Sequence, residues 1–254
     1  MSIFALNEYY NTRLEQKIAQ SLFAAGGIKS YFITKKLRQW LKKIDGVLLD
    51  VGSGEKKWEH ALPSGSRYIT LDYLPTMSAY PWRKSFPDIN GDALALPFQG
   101  RSIDAVVNVN VLEHVNDPVR VIQEISRTLK PGGLLLLVGP GDITYSHGDP
   151  YMFFNLTRHA YRRIFEESHL HILEEYFPSK TFVSVANIIY MKLVRNRIYN
   201  RNRLGKYLQI PIFLLSLILS PFLNIGGLGL DLLIPFDKRG YDTYMDFAQK
   251  STSP

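Results

Sequence analysis

Three aspartates, two glycines and two histidines stand in the chain where they could converge on a small polar ligand. Asp50, Gly52, Ser53 and Gly54 lie in LDVGSGEKKW, Asp72 closes YITLD, and Asp92 with Ala93 opens GDALALPF. Glycines one residue apart after an apolar run let a ligand approach backbone N–H groups, and a helix starting behind them would add the positive end of its dipole. A dinucleotide loop would carry a third glycine where Lys57 stands, and no Gly-Lys-Ser/Thr follows to make a phosphate loop. Taken alone, the turn fits a bare loop as well as a binding site. Asp72 alters the balance, because an acid ~20 residues beyond such a turn grips a ribose diol in a doubly wound sheet. Asp92 offers a hydrogen-bond acceptor beside Leu94, Leu96 and Phe98, which could sandwich a flat base. Each aspartate also reads as a cap or turn residue. Their recurrence at successive strand ends favours a shared site.

The histidines bear on proton transfer. His114, in LEHV, follows an apolar run, and His147, in SHGDPYMFF, follows another. His147 ranks first as a general base, since it trails the fifth strand on the edge where open α/β sheets bind ligands and imidazole titrates near neutral pH. A structural hydrogen bond at a helix start is the competing role for His114, and idle exposure the competing role for His147.

The elements that must position these residues alternate. Apolar runs at 47–51, 68–72, just before Gly91, 103–110 and 134–140 read as parallel strands. Between the last two, DPVRVIQEISRTLKPGG places Val119, Ile122, Ile125 and Leu129 on one helical face, with Asp117 as cap and Pro118 at the first helical position. Residues 1–45 read as helices, including YFITKKLRQWLKKI with Phe32, Leu37, Trp40, Leu41 and Ile44. A helix near 157–168, a strand at 171–177 and a last run at 241–250 complete the pattern.

Composition narrows the classes. The 254 residues, 46% of them apolar, suffice for one full domain with additions. The absence of cysteine excludes a disulfide framework, a thiolate zinc site and a cysteine nucleophile. A net charge of +7 weakly favours acidic partners. No recognised nucleic-acid module surrounds the basic residues, so none is expected as partner. The opening MSIFALNEYYNTRLEQK lacks the basic and apolar regions of a secretory signal, so the expectation is a cytoplasmic protein, peripheral to the membrane.

VLLDVGSG, the LD at 71–72, GDALALPF and IDAVVNVNVLEHVNDPVRVIQEISRTLKPGGLLLLVGP together resemble the class I S-adenosylmethionine-dependent methyltransferases, in particular the type 11 group. The resemblance covers about residues 45–177 and resumes at 241–250. It implies a Rossmann-like doubly wound α/β sheet of seven strands, the last antiparallel. It implies S-adenosyl-L-methionine as cofactor, with Asp50, Gly52, Ser53, Gly54 and Asn108 around the methionine end, Asp72 on the ribose, and Asp92 with Ala93 at the adenine. Glu113 and His114 match the family's EH pair. Lys56 replaces the glycine usual two places after Gly54. HGDPYMFFNLT is further similar to a segment of type 11 members associated with cell-surface polysaccharide and glycolipid synthesis, keeping His147, Pro150, Tyr151, Phe153 and Thr157. Met152, Asn155 and Leu156 depart from that segment. That resemblance implies a glycan or lipid-linked acceptor, with a lipid or quinone-like acceptor and a catalytically silent subunit as alternatives. Tyr9 and Tyr10 match a place where relatives close the pocket.

One stretch falls outside this pattern. Residues 207–230, YLQIPIFLLSLILSPFLNIGGLGL, hold no charge over 24 positions. Pro211, Pro221 and Gly226-Gly227 predict breaks into short pieces. Lys192, Arg195, Arg197, Arg201, Arg203 and Lys206 precede it, with no acid between 178 and 230. A segment embedded in an anionic membrane surface fits best, ahead of a buried hairpin or homodimer interface and of a true span. The expected division is a helical cap at 1–45, a methyltransferase domain at 46–177 and 237–250, and a basic, apolar insertion at 178–236.

Overall fold

The computed structural model describes residues 26–54, 56–73, 86–144, 152–199 and 203–252. His147, Tyr151, Tyr9 and Tyr10 lie outside them. The described elements are α1 (Gly27–Leu41), β1 (Val47–Val51), β2 (Arg67–Asp72), β3 (Ile89–Asn90), β4 (Ile103–Val109), α2 (Pro118–Thr128), β5 (Leu129–Pro140), α3 (Arg158–Glu167), β6 (Leu170–Tyr176), α4 (Thr181–Tyr199), α5 (Arg203–Leu233) and β7 (Thr243–Lys250). The chain divides into two compact units. One holds Lys36–Asp142, Ser146–Phe177 and Thr243–Pro254, and the other holds Met1–Lys35, Ile143–Tyr145 and Pro178–Asp242.

The first unit is built on a seven-stranded sheet of order β3-β2-β1-β4-β5-β7-β6. Strands β1 to β5 pair in parallel, and β7 runs antiparallel between β5 and β6. The expected Rossmann-like sheet, with its last strand reversed, is therefore present. Central strands are buried along nearly their whole length, as VLLDV and LLLLV require of strands covered on both faces. Asp117 caps α2 by accepting the Arg120 N–H at 2.9 Å, with Pro118 at the first turn. The buried face of α2 is Pro118, Val121, Ile122 and Ile125, and Val119 is only half-buried. Trp40 near the end of α1 is fully buried, stacks on Phe247 with ring centroids 5.4 Å apart, and donates its indole N–H to Glu174 at 2.9 Å.

One expectation changes here. Among the described residues no α-helix follows the glycine turn, only a single 3-10 turn at Glu59–Ala61, so no helix dipole backs it. Pro63 and Gly65 follow so soon after that turn that a helix has no length in which to form. The basic residues after the glycines are accordingly not helical, and Lys56 is ion-paired with Asp88.

The second unit centres on α4 and α5. The structure runs α5 unbroken from Arg203 to Leu233, through Pro211, Pro221 and both glycines, where local propensity predicts breaks. A proline deletes one ladder hydrogen bond, and a helix held along its length by a neighbour can absorb that loss. Gly227 serves that neighbour. A Cβ there would lie 3.1 Å from the Phe182 carbonyl oxygen of α4, so glycine permits the close approach. Among the described residues, no helix is long and apolar enough to cross a membrane.

Candidate functional site

Strand register brings the candidate residues together. Val51 pairs with Leu71 on one side and with Asn108 on the other, and Asp72 pairs with Asn90. The C-terminal ends of β2, β1 and β4 thus stand side by side, where an open α/β sheet binds ligands. Asn108 is the penultimate residue of β4.

The chain turns sharply after Val51. Gly52 takes φ +73° and Gly54 φ +59°, both in the left-handed region. Gly52 and Ser53 both donate their N–H groups to the Leu71 carbonyl, at 2.8 and 3.1 Å. The Gly54 N–H donates to Asp72 Oδ2 at 2.8 Å, and the Tyr73 N–H to Asp72 Oδ1 at 2.7 Å. Asp72 therefore ties the turn to the end of β2 through its own carboxylate. A Cβ on Gly52 would fall 2.3 Å from Val111 Cγ2, so the turn also packs directly against the loop after β4.

Beneath the turn, Asp50 is 2% exposed. Burial pushes its carboxyl up to about 7, against the opposing pull of the Tyr68 hydroxyl, which donates to Asp50 Oδ2 at 2.5 Å. Lys57 lowers it further and Asp72 raises it. Asn108 donates its amide to the Val51 carbonyl at 3.1 Å, while its Oδ1 is buried without a hydrogen-bond partner among the described residues. Ser53 Oγ is buried and partnerless in the same way. Buried polar atoms are nearly always hydrogen-bonded, and a ligand or an ordered water at these strand ends could satisfy both.

Asp92 sits beyond β3, its Oδ1 accepting the Leu94 N–H at 2.9 Å, so it closes a turn while remaining exposed. Ala93 and Leu96 are buried beside it. The Leu96 N–H is held by Glu124 Oε2 at 2.9 Å, and Arg127 reaches the carbonyls of Leu96 and Phe98. On the other flank, Leu112–His114 form a 3-10 turn in which Glu113 is 1% exposed and His114 Nε2 lies 4.0 Å from Glu113 Oε1. The Phe153 N–H donates to the Glu113 carbonyl at 2.7 Å, drawing the aromatic segment to the EH pair. Phe153 and Phe154 stay 51% and 36% exposed there, too open to be ordinary core.

Tyr68, Val111, Asn110 and Glu124 were not legible as site residues. Asn110 holds φ +53° at the end of β4, a conformation that asparagine tolerates better than most residues. The roles of Tyr68 and Glu124 depend on contacts 18 and 28 residues away along the chain. A cavity of about 560 Å³ lined by Arg101, Arg127, His169 and Lys250 lies instead at the opposite edge of the sheet. There Lys250 Nζ is occupied by the Ser126 and Leu129 carbonyls, which makes it a structural tie.

This strand order, with a glycine turn after β1 and an acid ending β2, is that of an open Rossmann-like α/β sheet with its last strand reversed. The family described as Methyltransferase domain matches residues 49–137, which span the turn, all three aspartate-bearing strand ends and β4, α2 and most of β5. A probable S-adenosylmethionine-dependent methyltransferase of Mycolicibacterium smegmatis is 34% identical over 105 residues, covering 40% of this chain and 40% of that one. A demethylmenaquinone methyltransferase of Renibacterium salmoninarum is 37% identical over 94 residues, covering 35% and 39%. The chain thus spans about two fifths of the length of these curated relatives. A methyltransferase structure from Archaeoglobus fulgidus shares the fold, with a TM-score of 0.54 at 15% identity over 87% of this chain and 94% of that one.

S-adenosyl-L-methionine is the cofactor such domains take, and the residues present fit it. It carries no phosphate, in keeping with a turn that has neither a phosphate-loop lysine nor a helix behind it. The orphaned Ser53 Oγ and Asn108 Oδ1 would meet its polar methionine end, Asp72 its ribose, and Asp92 with Ala93 its adenine. Bound there, it would supply a methyl group already activated on a sulfonium.

Proposed function

We propose that this chain transfers a methyl group from S-adenosyl-L-methionine to a hydroxyl of a glycan or lipid-linked saccharide at a membrane surface. The observation that carries the reading is the convergence of the Gly52–Gly54 turn, Asp72 and Asn108 on three adjacent strand ends, with two buried polar atoms awaiting a partner. The acceptor oxygen forms the new bond to the methyl carbon as the sulfur–carbon bond breaks, and the hydroxyl proton passes to a base. Positioning and exclusion of water supply most of the rate in such a displacement. His147 is the proposed base, with His114 as the second candidate. In this reading residues 46–177 and 237–250 form the catalytic domain, residues 1–45 cap it, and the insertion at 178–236 brings it to its acceptor.

The HGDPYMFFNLT segment and the basic stretch before 207 support the saccharide acceptor. The quinone relative favours a second reading, a lipid or quinone-like acceptor. Two measurements test the proposal. Calorimetry should detect cofactor binding that weakens by about 10²-fold in Asp72→Ala, the worth of two hydrogen bonds to a charged acceptor; absence of binding at millimolar cofactor would sink the reading. A labelled-methyl assay against fractionated glycans and lipids then separates the acceptors. His147→Ala should lower turnover with cofactor affinity unchanged, and unchanged turnover would remove His147 as base.

A further inference from the structure

The C-terminal part of helix α5 is built inside out. Among its described side chains, at 215 and 218–233, the buried stripe is Ser220, Asn224, Gly227 and Asp231, at spacings that trace one helical face. Its outward side chains are apolar: Ile218 is 64% exposed, Phe222 70%, Leu232 75% and Leu233 81%. A helix on the surface of a water-soluble protein arranges these faces the other way round. The inward stripe is satisfied. Asn224 donates to Ser220 Oγ at 3.3 Å, and the Asp231 carboxylate accepts the N–H groups of Phe182 and Val183 at 2.9 and 3.0 Å, at the start of α4. Small and polar residues between closely packed helices, with apolar groups outward, are the pattern of helices whose solvent is lipid. On α4, the neighbouring helix, Val185 and Ile189 are apolar and exposed as well.

We infer that this face of α5, with Val185 and Ile189 of α4, docks on an anionic lipid bilayer, lying in its interfacial region. Charge selects that occupant. Six cations stand between positions 192 and 206, no acid occurs from 178 to 230, and the carboxylate of Asp231 is turned inward and only 5% exposed. A contact between two copies of this same face would set the cations against one another with no acid from 178 to 230 to meet them, whereas anionic headgroups complement them as the apolar side chains enter the acyl boundary. The inference rests on the membrane-surface part of the proposed function and is independent of methyl transfer.

The test is flotation of the full chain with vesicles of phosphatidylcholine alone and of phosphatidylcholine mixed with phosphatidylglycerol. The chain should float with the mixed vesicles and at least about tenfold less with phosphatidylcholine alone. Combined Phe222→Ser, Leu232→Ser and Leu233→Ser substitutions, all on exposed positions, should cut flotation at least about tenfold. The chain has no cysteine, so Phe222→Cys accepts a single environment-sensitive dye, as does Glu59→Cys in the sheet unit. The dye at 222 should shift to the blue on vesicles while that at 59 stays unchanged. Equal flotation of wild type and the triple variant would overturn the inference. So would a wild-type dimer in light scattering that the triple variant dissociates while neither binds vesicles. Cofactor calorimetry on the triple variant keeps the two readings apart: lost flotation with retained binding supports docking, and flotation without any cofactor binding leaves docking standing while methyl transfer fails.

Discussion

The Tyr68 hydroxyl and the Asp50 carboxylate meet at 2.5 Å under the glycine turn, joining neighbouring strands β2 and β1 through side chains 18 residues apart. Asp50 is the costly partner, because burial raises its carboxyl from an ordinary value near 3.8 to about 7. Between those values the folded chain holds a proton that the unfolded chain has lost. Stability therefore falls as pH rises from about 4 to 7, by about 4 kcal/mol from this group, and levels off above 7. Asp50→Asn should flatten that part of the stability profile and overtake the wild type in thermal melts at pH 8. Tyr68→Phe removes the donor that holds the carboxyl down, so the falling limb should extend to higher pH. Parallel profiles for wild type and Asp50→Asn between pH 4 and 8 would contradict the assignment.

Gly52 meets Val111 across the turn. Substitution by alanine demands a left-handed backbone, at about 1–2 kcal/mol, and overpacks a contact of 2.3 Å, at about 1–3 kcal/mol more. Urea unfolding should show a loss of about 3 kcal/mol for Gly52→Ala. Adding Val111→Ala should recover about 1 kcal/mol by relieving the clash, since residues in contact couple non-additively. Strict additivity of the two changes would show that the contact is unimportant.

In the helical unit Asp242 gathers Lys29 Nζ at 2.9 Å, Asn187 Nδ2 at 2.6 Å and the Ser179 hydroxyl. Burial alone would raise its carboxyl, but the Lys29 ammonium and these hydrogen bonds outweigh it and hold it below the usual range. A depressed carboxyl adds stability at neutral pH that disappears as pH falls below about 4. Asp242→Ala should cost about 3 kcal/mol, the low end for a buried pair, by stranding a half-buried cation and two polar groups. The deficit relative to wild type should shrink in acid, and a deficit independent of pH would assign the loss to packing.

Asp231 supplies a comparable test of the helix pair. Its carboxylate accepts two backbone N–H groups at the beginning of α4. Asp231→Ala should lower stability by about 1–2 kcal/mol, as loss of a helix cap does, with Asp231→Asn restoring much of it. Circular dichroism melts that show no change would remove the capping role.

Much of the sheet was legible because buried parallel strands must be continuous apolar runs: 47–51, 68–72, 103–110 and the run ending at 140 all recur as strands. The cap at Asp117 was legible because its partner N–H is three residues away. Asp72 and Asn108 could be placed at strand ends for the same local reason. The missing helix after the glycine turn was not, since glycine pairs precede helices and loops alike. The unbroken α5 was not either: propensity counts each proline's cost of about 3 kcal/mol but is blind to a neighbouring helix that holds both sides of it.

By itself, the sequence determined the periodicities, the positions of glycine and acid at strand ends, and a long uncharged segment preceded by cations. Tertiary structure alone decided which groups meet. Strand register set Val51 beside both Leu71 and Asn108, delivered Tyr68 to Asp50, and left Ser53 Oγ and Asn108 Oδ1 buried without a partner among the described residues. It also decided which face of α5 turns outward, because the one carboxylate within that helix, Asp231, is consumed by the first N–H groups of α4. The division has a physical cause. Periodicity and turn chemistry act over a few residues, whereas hydrogen-bond satisfaction and burial are settled between groups tens of residues apart.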